Sequence, residues 1–86
     1  MSILYTANFD GKLFISDDKK AFEARLAKAQ ENGEEVEDRA RLALDLMEMD
    51  ELKHWHKQAR SKSNEVGPSV AGVIKSAIKD LEEDGF

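Results

Sequence analysis

The pair Asp10-Gly11, set between two short runs in which apolar residues recur, constrains this chain more than any other feature. Asp-Gly supplies the positive φ angles that a tight hairpin turn needs, so Ile3 to Ser16 reads as two antiparallel strands. Register then decides which side chains are buried. A two-residue loop at Asp10-Gly11 opposes Ala7 to Phe14 and leaves apolar side chains on both faces. A three-residue loop, Phe9-Asp10-Gly11 with Gly11 left-handed in a G1 bulge, pairs Ala7 with Leu13 and Tyr5 with Ile15. It gathers Ile3, Tyr5, Ala7, Leu13 and Ile15 on one face, and is the register expected. Two strands alone are marginal in water, so that face must meet a helix or a further strand, from this chain or from a second copy.

Helical periodicity follows. Ser16 or Asp17 can cap a helix over about 17–31, with Asp17 and Asp18 complementing its dipole. Phe22, Leu26 and Ala29 form its narrow apolar stripe, Arg25 and Lys28 flank that stripe with charge, and Asn32-Gly33 ends it as a C-cap pair. A second pattern covers 34–62, acidic at its start (Glu34, Glu35, Glu37, Asp38) and basic at its end, as the helix dipole favours. Val36, Ala40, Ala43 and Met47 make one stripe there, and Leu52, Trp55, His56 and Ala59 a later one. Asp50 can start a fresh helix, so this segment is read as one helix, continuous or bent near 50. Seven of the ten residues from Ala40 to Met49 are apolar, too many for a single face, which marks a central helix or a subunit interface. Ser61 to Pro68 is the clearest break, Pro68 fits the first turn of a last helix over 69–84, and Gly85-Phe86 reads as its C-cap. The expected fold is α+β and helix-dominated, an N-terminal hairpin (3–16) packed with about three helices in one domain spanning 1–86.

Composition restricts what such a domain can do. The 86 residues contain no cysteine, which removes disulfides, thiolate metal sites and thiol nucleophiles, and suits a cytoplasmic protein. No run approaches the ~18 apolar residues of a membrane span, and the first residues lack the pattern of a secretory signal. The net charge of −5 disfavours a surface that grips nucleic acid all over. The charge is segregated, however: Lys53 to Lys62 holds four cations (Lys53, Lys57, Arg60, Lys62) and no carboxylate, so this segment carries +4 and the remainder −9.

Neither a cofactor nor a metal site is expected. Asp50 and His54 share a helical face, but His54 and His56, two apart on a helix, point about 200° from one another and do not chelate together. The chain has no glycine-rich phosphate loop and no serine in a nucleophile elbow, and no acid and base pair is singled out by spacing, so it is not read as an enzyme. The functional expectation is a small acidic non-catalytic protein that binds a macromolecular partner, an inhibitor or adaptor of the kind made by phages or mobile elements. Its partner would be a protein, with homodimerisation through the excess apolar surface. Leu44, Met49 and Trp55 are the candidate contact residues. The alternative is a nucleic-acid-binding regulator that uses Lys53, Lys57, Arg60 and Lys62 as phosphate contacts.

Overall fold

A computed structural model describes residues 2–84. The proposed cap at Gly85-Phe86 lies outside them. Along the chain are β1 (Ile3–Phe9), β2 (Lys12–Ser16), α1 (Lys19–Asn32), β3 (Val36–Ala43), a 3-10 turn (Leu44–Leu46), α2 (Met49–Ala59), β4 (Glu65–Val66) and α3 (Val70–Asp84). The fold is α+β, but its β part is a four-stranded sheet of order β3-β1-β2-β4 rather than a hairpin. β1 runs antiparallel to both β2 and β3, while β4 is parallel to β2. The crossover β2-α1-β3 moves towards one edge and β3-α2-β4 towards the other. Given one hand for such crossovers, opposite directions place α1 and α2 on opposite faces.

The core confirms that arrangement with two apolar layers. On one face, Leu4 and Ile15 of the central strands meet Leu44, Leu52 of α2, and Val70 and Ile74 of α3. On the other, Ala7 and Phe9 meet Phe22 and Ala29 of α1, with Tyr5 and Phe14 packed alongside. The Tyr5 and Phe14 rings both stack on Phe22, with centroids 5.7 and 6.1 Å away.

Two-sided burial corrects the hairpin register. Phe9 pairs with Lys12 and Ala7 with Phe14, so the loop has two residues, Asp10 (φ 51°) and Gly11 (φ 83°), rather than three. Two left-handed central residues are the mark of a type I′ turn. Apolar side chains on both faces of the hairpin are what a central strand pair needs when helices cover both sides. The turn is tied to the start of β3, since Asp10 N–H donates to the Glu35 carbonyl (2.9 Å) and Asp10 Oδ1 accepts from Glu35 N–H (2.9 Å).

The larger correction concerns 34–62, which is not a helix. Its first part is β3, paired with β1 along Val36–Ala43, and only Met49–Ala59 is α-helical. Between the pairs Asn8–Glu37 and Thr6–Ala40, two residues of β3 (Asp38 and Arg39) oppose one of β1 (Ala7), which is a β-bulge, and Asp38 adopts φ 54° within it. Asn8 Nδ2 donates to Asp38 Oδ2 at 3.0 Å and braces this conformation. The extra residue reverses the facing of the strand. Val36 lies opposite Phe9 on the α1 side, whereas Leu42 lies opposite Leu4 on the α2–α3 side. A strand whose phase flips in the middle has no period-2 pattern, and its Glu, Ala, Leu and Arg residues favour helix, so periodicity and propensity alone point to a helix here.

The termini of α1 follow local chemistry. Its cap is Asp18, whose carboxylate accepts from Lys20 N–H at 2.9 Å, while Ser16 Oγ accepts from Asp18 N–H at 3.1 Å. At the other end Gly33 (φ 69°) is left-handed, its N–H donates to the Gln30 carbonyl, and Glu34 N–H donates to the Ala29 carbonyl at 2.8 Å. That pair of bonds is a Schellman motif, as the Asn32-Gly33 pair foretold.

Candidate binding surfaces

Four strands about 4.8 Å apart make a sheet some 15–19 Å wide, whereas one helix covers about 10–12 Å. Two helices cover one face of this sheet, but α1 is alone on the other. Its stripe rests on the two central strands, so both flanks of the α1 face are left open, one over β4 and one over β3.

The β4 flank is a cleft of about 560 Å³. Phe14 of β2 and Val66 of β4 line it from the sheet, the short side chains of Ala21 and Ala24 line it from α1, and Pro68 closes the far side. Both of its ends are pinned. At one end Ser69 Oγ donates to the Asp17 carboxylate at 2.8 and 2.9 Å, joining the start of α1 to the turn before α3. At the other end Arg25 is a hub. Its guanidinium makes two hydrogen bonds to Glu34 (2.8 and 3.3 Å) and one to Glu65 of β4 (3.2 Å), and it lies 4.3 Å from the centroid of the Phe9 ring. Arg25 and Glu34 are largely shielded, at 17% and 19% side-chain exposure. The hydrogen bonds from Arg25 hold the Glu34 carboxyl below the usual carboxylate range, and Glu34 in turn raises the guanidinium. Lys28 also lines the cleft and, among the described residues, has no ion-pair partner.

The β3 flank is different in character. A smaller hollow of about 200 Å³ is lined by Tyr5, Phe22, Arg39, Ala40 and Arg41. Beside it runs the outer edge of β3, eight residues long, where self-pairing would build a dimer. The bulge opposes this, because residues before and after it face opposite sides and no single register continues through it. Beyond the bulge, an antiparallel pairing centred on Ala40 or Arg41 brings arginines of the two copies together. A bulge and like charges are the usual defences of an exposed edge.

On the opposite face, α2 and α3 enclose a groove of about 410 Å³ lined by Lys53, His56, Lys75, Ile78, Lys79 and Glu82.

The residues singled out from the sequence fall into two groups. Leu44, Met49 and Trp55 are not exposed together. Leu44 is a core residue at 2% exposure, and Met49 and Trp55 are half-buried, with Trp55 packed against the core and edge-on to His54 (5.3 Å). The physical reason is the strand: once β3 replaces the helix, the chain turns at Leu44 and drives that side chain under the sheet. The large exposed apolar side chains among the described residues are Leu46 (82%) and Leu81 (36%). The helix on which the homodimer rested is absent. By contrast Lys53, Lys57, Arg60 and Lys62 are all exposed, and Lys53 shares its groove with cations of α3.

Sequence reasoning missed the cleft and its Arg25 hub. Arg25 meets partners 9 and 40 residues away, and no spacing rule connects them. No group of three or more His, Asp or Glu residues among those described is placed to hold a metal ion, and no described helix is long and apolar enough to cross a membrane. Compared with protein-family models, with curated proteins and with solved structures, the chain matches none of them.

Proposed function

We propose that this chain is a cytoplasmic, non-catalytic protein that acts by docking on a protein partner, in the manner of a small inhibitor or adaptor. The partner would insert an apolar anchor side chain into the cleft between α1 and β4. The observation that carries this reading is that the cleft is preformed. Its apolar walls are held apart by the Arg25–Glu34–Glu65 cluster at one end and by the Ser69–Asp17 pair at the other. A rigid apolar pocket rimmed by polar groups is the usual receptor for the few residues that dominate an interface, because little ordering is needed on binding. Arg25, Glu34 and Glu65 bind one another, so these three serve structure rather than acid–base chemistry. Lys28 lines the cleft together with Asp17 and Asp18, so the rim offers both signs of charge to the polar groups that flank the partner's anchor.

The test compares three versions of the tagged chain as bait in host lysate: the natural chain, Ala24→Glu and Leu46→Glu. Both substituted positions are exposed, so the fold should persist and circular dichroism should be unchanged. The expected result is a protein retained by the natural chain and by Leu46→Glu and lost with Ala24→Glu, which puts a charge in the cleft. Retention by Ala24→Glu at natural strength would overturn the assignment.

A further inference from the structure

We propose that the groove between α2 and α3, on the face of the sheet away from the cleft, binds the sugar–phosphate backbone of a nucleic acid. The groove draws cations from segments that are distant in sequence: Lys53 comes from α2, Lys75 and Lys79 come from α3, and His56 and Ile78 lie between them. On α2, Lys57 and Arg60 follow Lys53 at i+4 and i+7 and extend its row along the same side of the helix. All five cations are exposed, and none is in an ion pair among the described residues, where the four pairs found are Lys12–Glu65, Lys19–Glu23, Arg25–Glu34 and Arg25–Glu65. Lys20, Lys28, Arg39, Arg41 and Lys62 are likewise outside these ion pairs, so what distinguishes the groove is that Lys53, Lys75 and Lys79 converge on it from two helices.

The lining also indicates which polyanion fits. Successive cations one helical turn apart lie about 6 Å along the axis, a repeat that the regularly spaced charges of a phosphodiester strand can follow. No Phe, Tyr or Trp lines the groove and His56 is its one ring, so it offers little platform for stacking bases, and lysines act as point charges rather than as planar readers of base edges. Contacts of this kind position a nucleic acid without selecting its sequence. Glu82 marks one end, past which the backbone would turn away. The −5 net charge does not decide against binding, because its repulsion is screened within about 8–10 Å in ordinary buffers and the nearest charges dominate.

The experiment is fluorescence anisotropy with labelled single-stranded and duplex DNA of mixed sequence, at 50 and 200 mM salt, on the full chain. With three groove lysines engaged on duplex, log K should fall with log salt at a slope of about −2.7, so binding weakens about 40-fold over this range. Lys79→Glu should weaken binding at 50 mM salt at least about tenfold. Lys20→Glu, the same change in net charge at an exposed site on α1, should weaken it less than about threefold, and Ala24→Glu in the cleft likewise. Three results would overturn the proposal: no binding of either probe at 50 mM salt, equal losses for Lys79→Glu and Lys20→Glu, or competition by polyglutamate as effective as by unlabelled DNA. Because Lys79 is exposed, an unchanged thermal melt of Lys79→Glu keeps a loss of binding from being read as unfolding.

Discussion

Leu44 and Leu46 lie two residues apart in the same 3-10 turn, and the structure gives them opposite fates. Leu44 is 2% exposed beneath the sheet, against Met47, Leu52 and Ile74, whereas Leu46 is 82% exposed. Leu44→Ala deletes three buried carbons at about 0.8 kcal/mol each, or about 2.4 kcal/mol of transfer free energy. The cavity left behind brings the total to about 3–4 kcal/mol, within the range measured for such changes. A domain of this size has a stability on the order of 4–13 kcal/mol, so Leu44→Ala should remove a large fraction of it. Leu46→Ala should stay within about 0.5 kcal/mol of the natural chain. Urea unfolding followed by circular dichroism measures both, with the midpoint reporting stability and the slope reporting whether the surface exposed on unfolding has changed. If residues 34–62 formed one amphipathic helix, no such contrast between these neighbours would be required. Equal losses for the two substitutions, or a greater loss at Leu46, would refute the turn and with it the strand that precedes it.

Gly11→Ala should cost about 1–2 kcal/mol, because Gly11 sits at φ 83° with nothing within 4 Å of a new Cβ, so the whole effect is backbone conformation; an unchanged urea midpoint would exclude the two-residue turn. Glu34 has a lowered folded pKa, so its pairing with Arg25 stabilises the protein above the ordinary glutamate range near pH ~4.3 and is lost as pH falls through the depressed value. The gap in urea midpoint between the natural chain and Arg25→Met should therefore be widest at pH 7 and shrink by pH 3, and a gap independent of pH would contradict this. Glu37 has the opposite sign: Glu35 raises its pKa, first through a hydrogen bond that favours the protonated carboxyl and then through like-charge repulsion, so the ionised Glu37 disfavours the folded state at neutral pH. Glu37→Gln should accordingly raise the midpoint at pH 7 and lose that advantage in acid.

The parts of the fold that were legible in the sequence are those set by local chemistry. The turn residues Asp10-Gly11, the stripe Phe22-Leu26-Ala29, the Asn32-Gly33 terminus and the apolar face of α3 each depend on neighbours within a few residues. The register of the hairpin was not legible, because it depends on whether one face or both are covered, and the covering helices come later in the chain. β3 was hidden by its own bulge, which moves Arg41 and Leu42 to faces that an uninterrupted strand would not give them. β4 is two residues long and is a strand only because β2 lies beside it. The binding surfaces divide the same way. The basic row on α2 follows from spacing, but its union with Lys75 and Lys79 needs the packing of α2 on α3. The cleft needs the mismatch between one helix and a four-stranded sheet.

That mismatch is the basis of the functional reading, and hydrogen exchange of the chain with and without its captured protein partner tests it most directly. Backbone amides of 14–16, 21–28, 65–67 and 69, around the cleft, should gain protection, while those of 53–60 and 75–82 should exchange as in the free chain. Protection confined to the α2–α3 segments, with none around Ala21, Ala24 and Val66, would contradict the account.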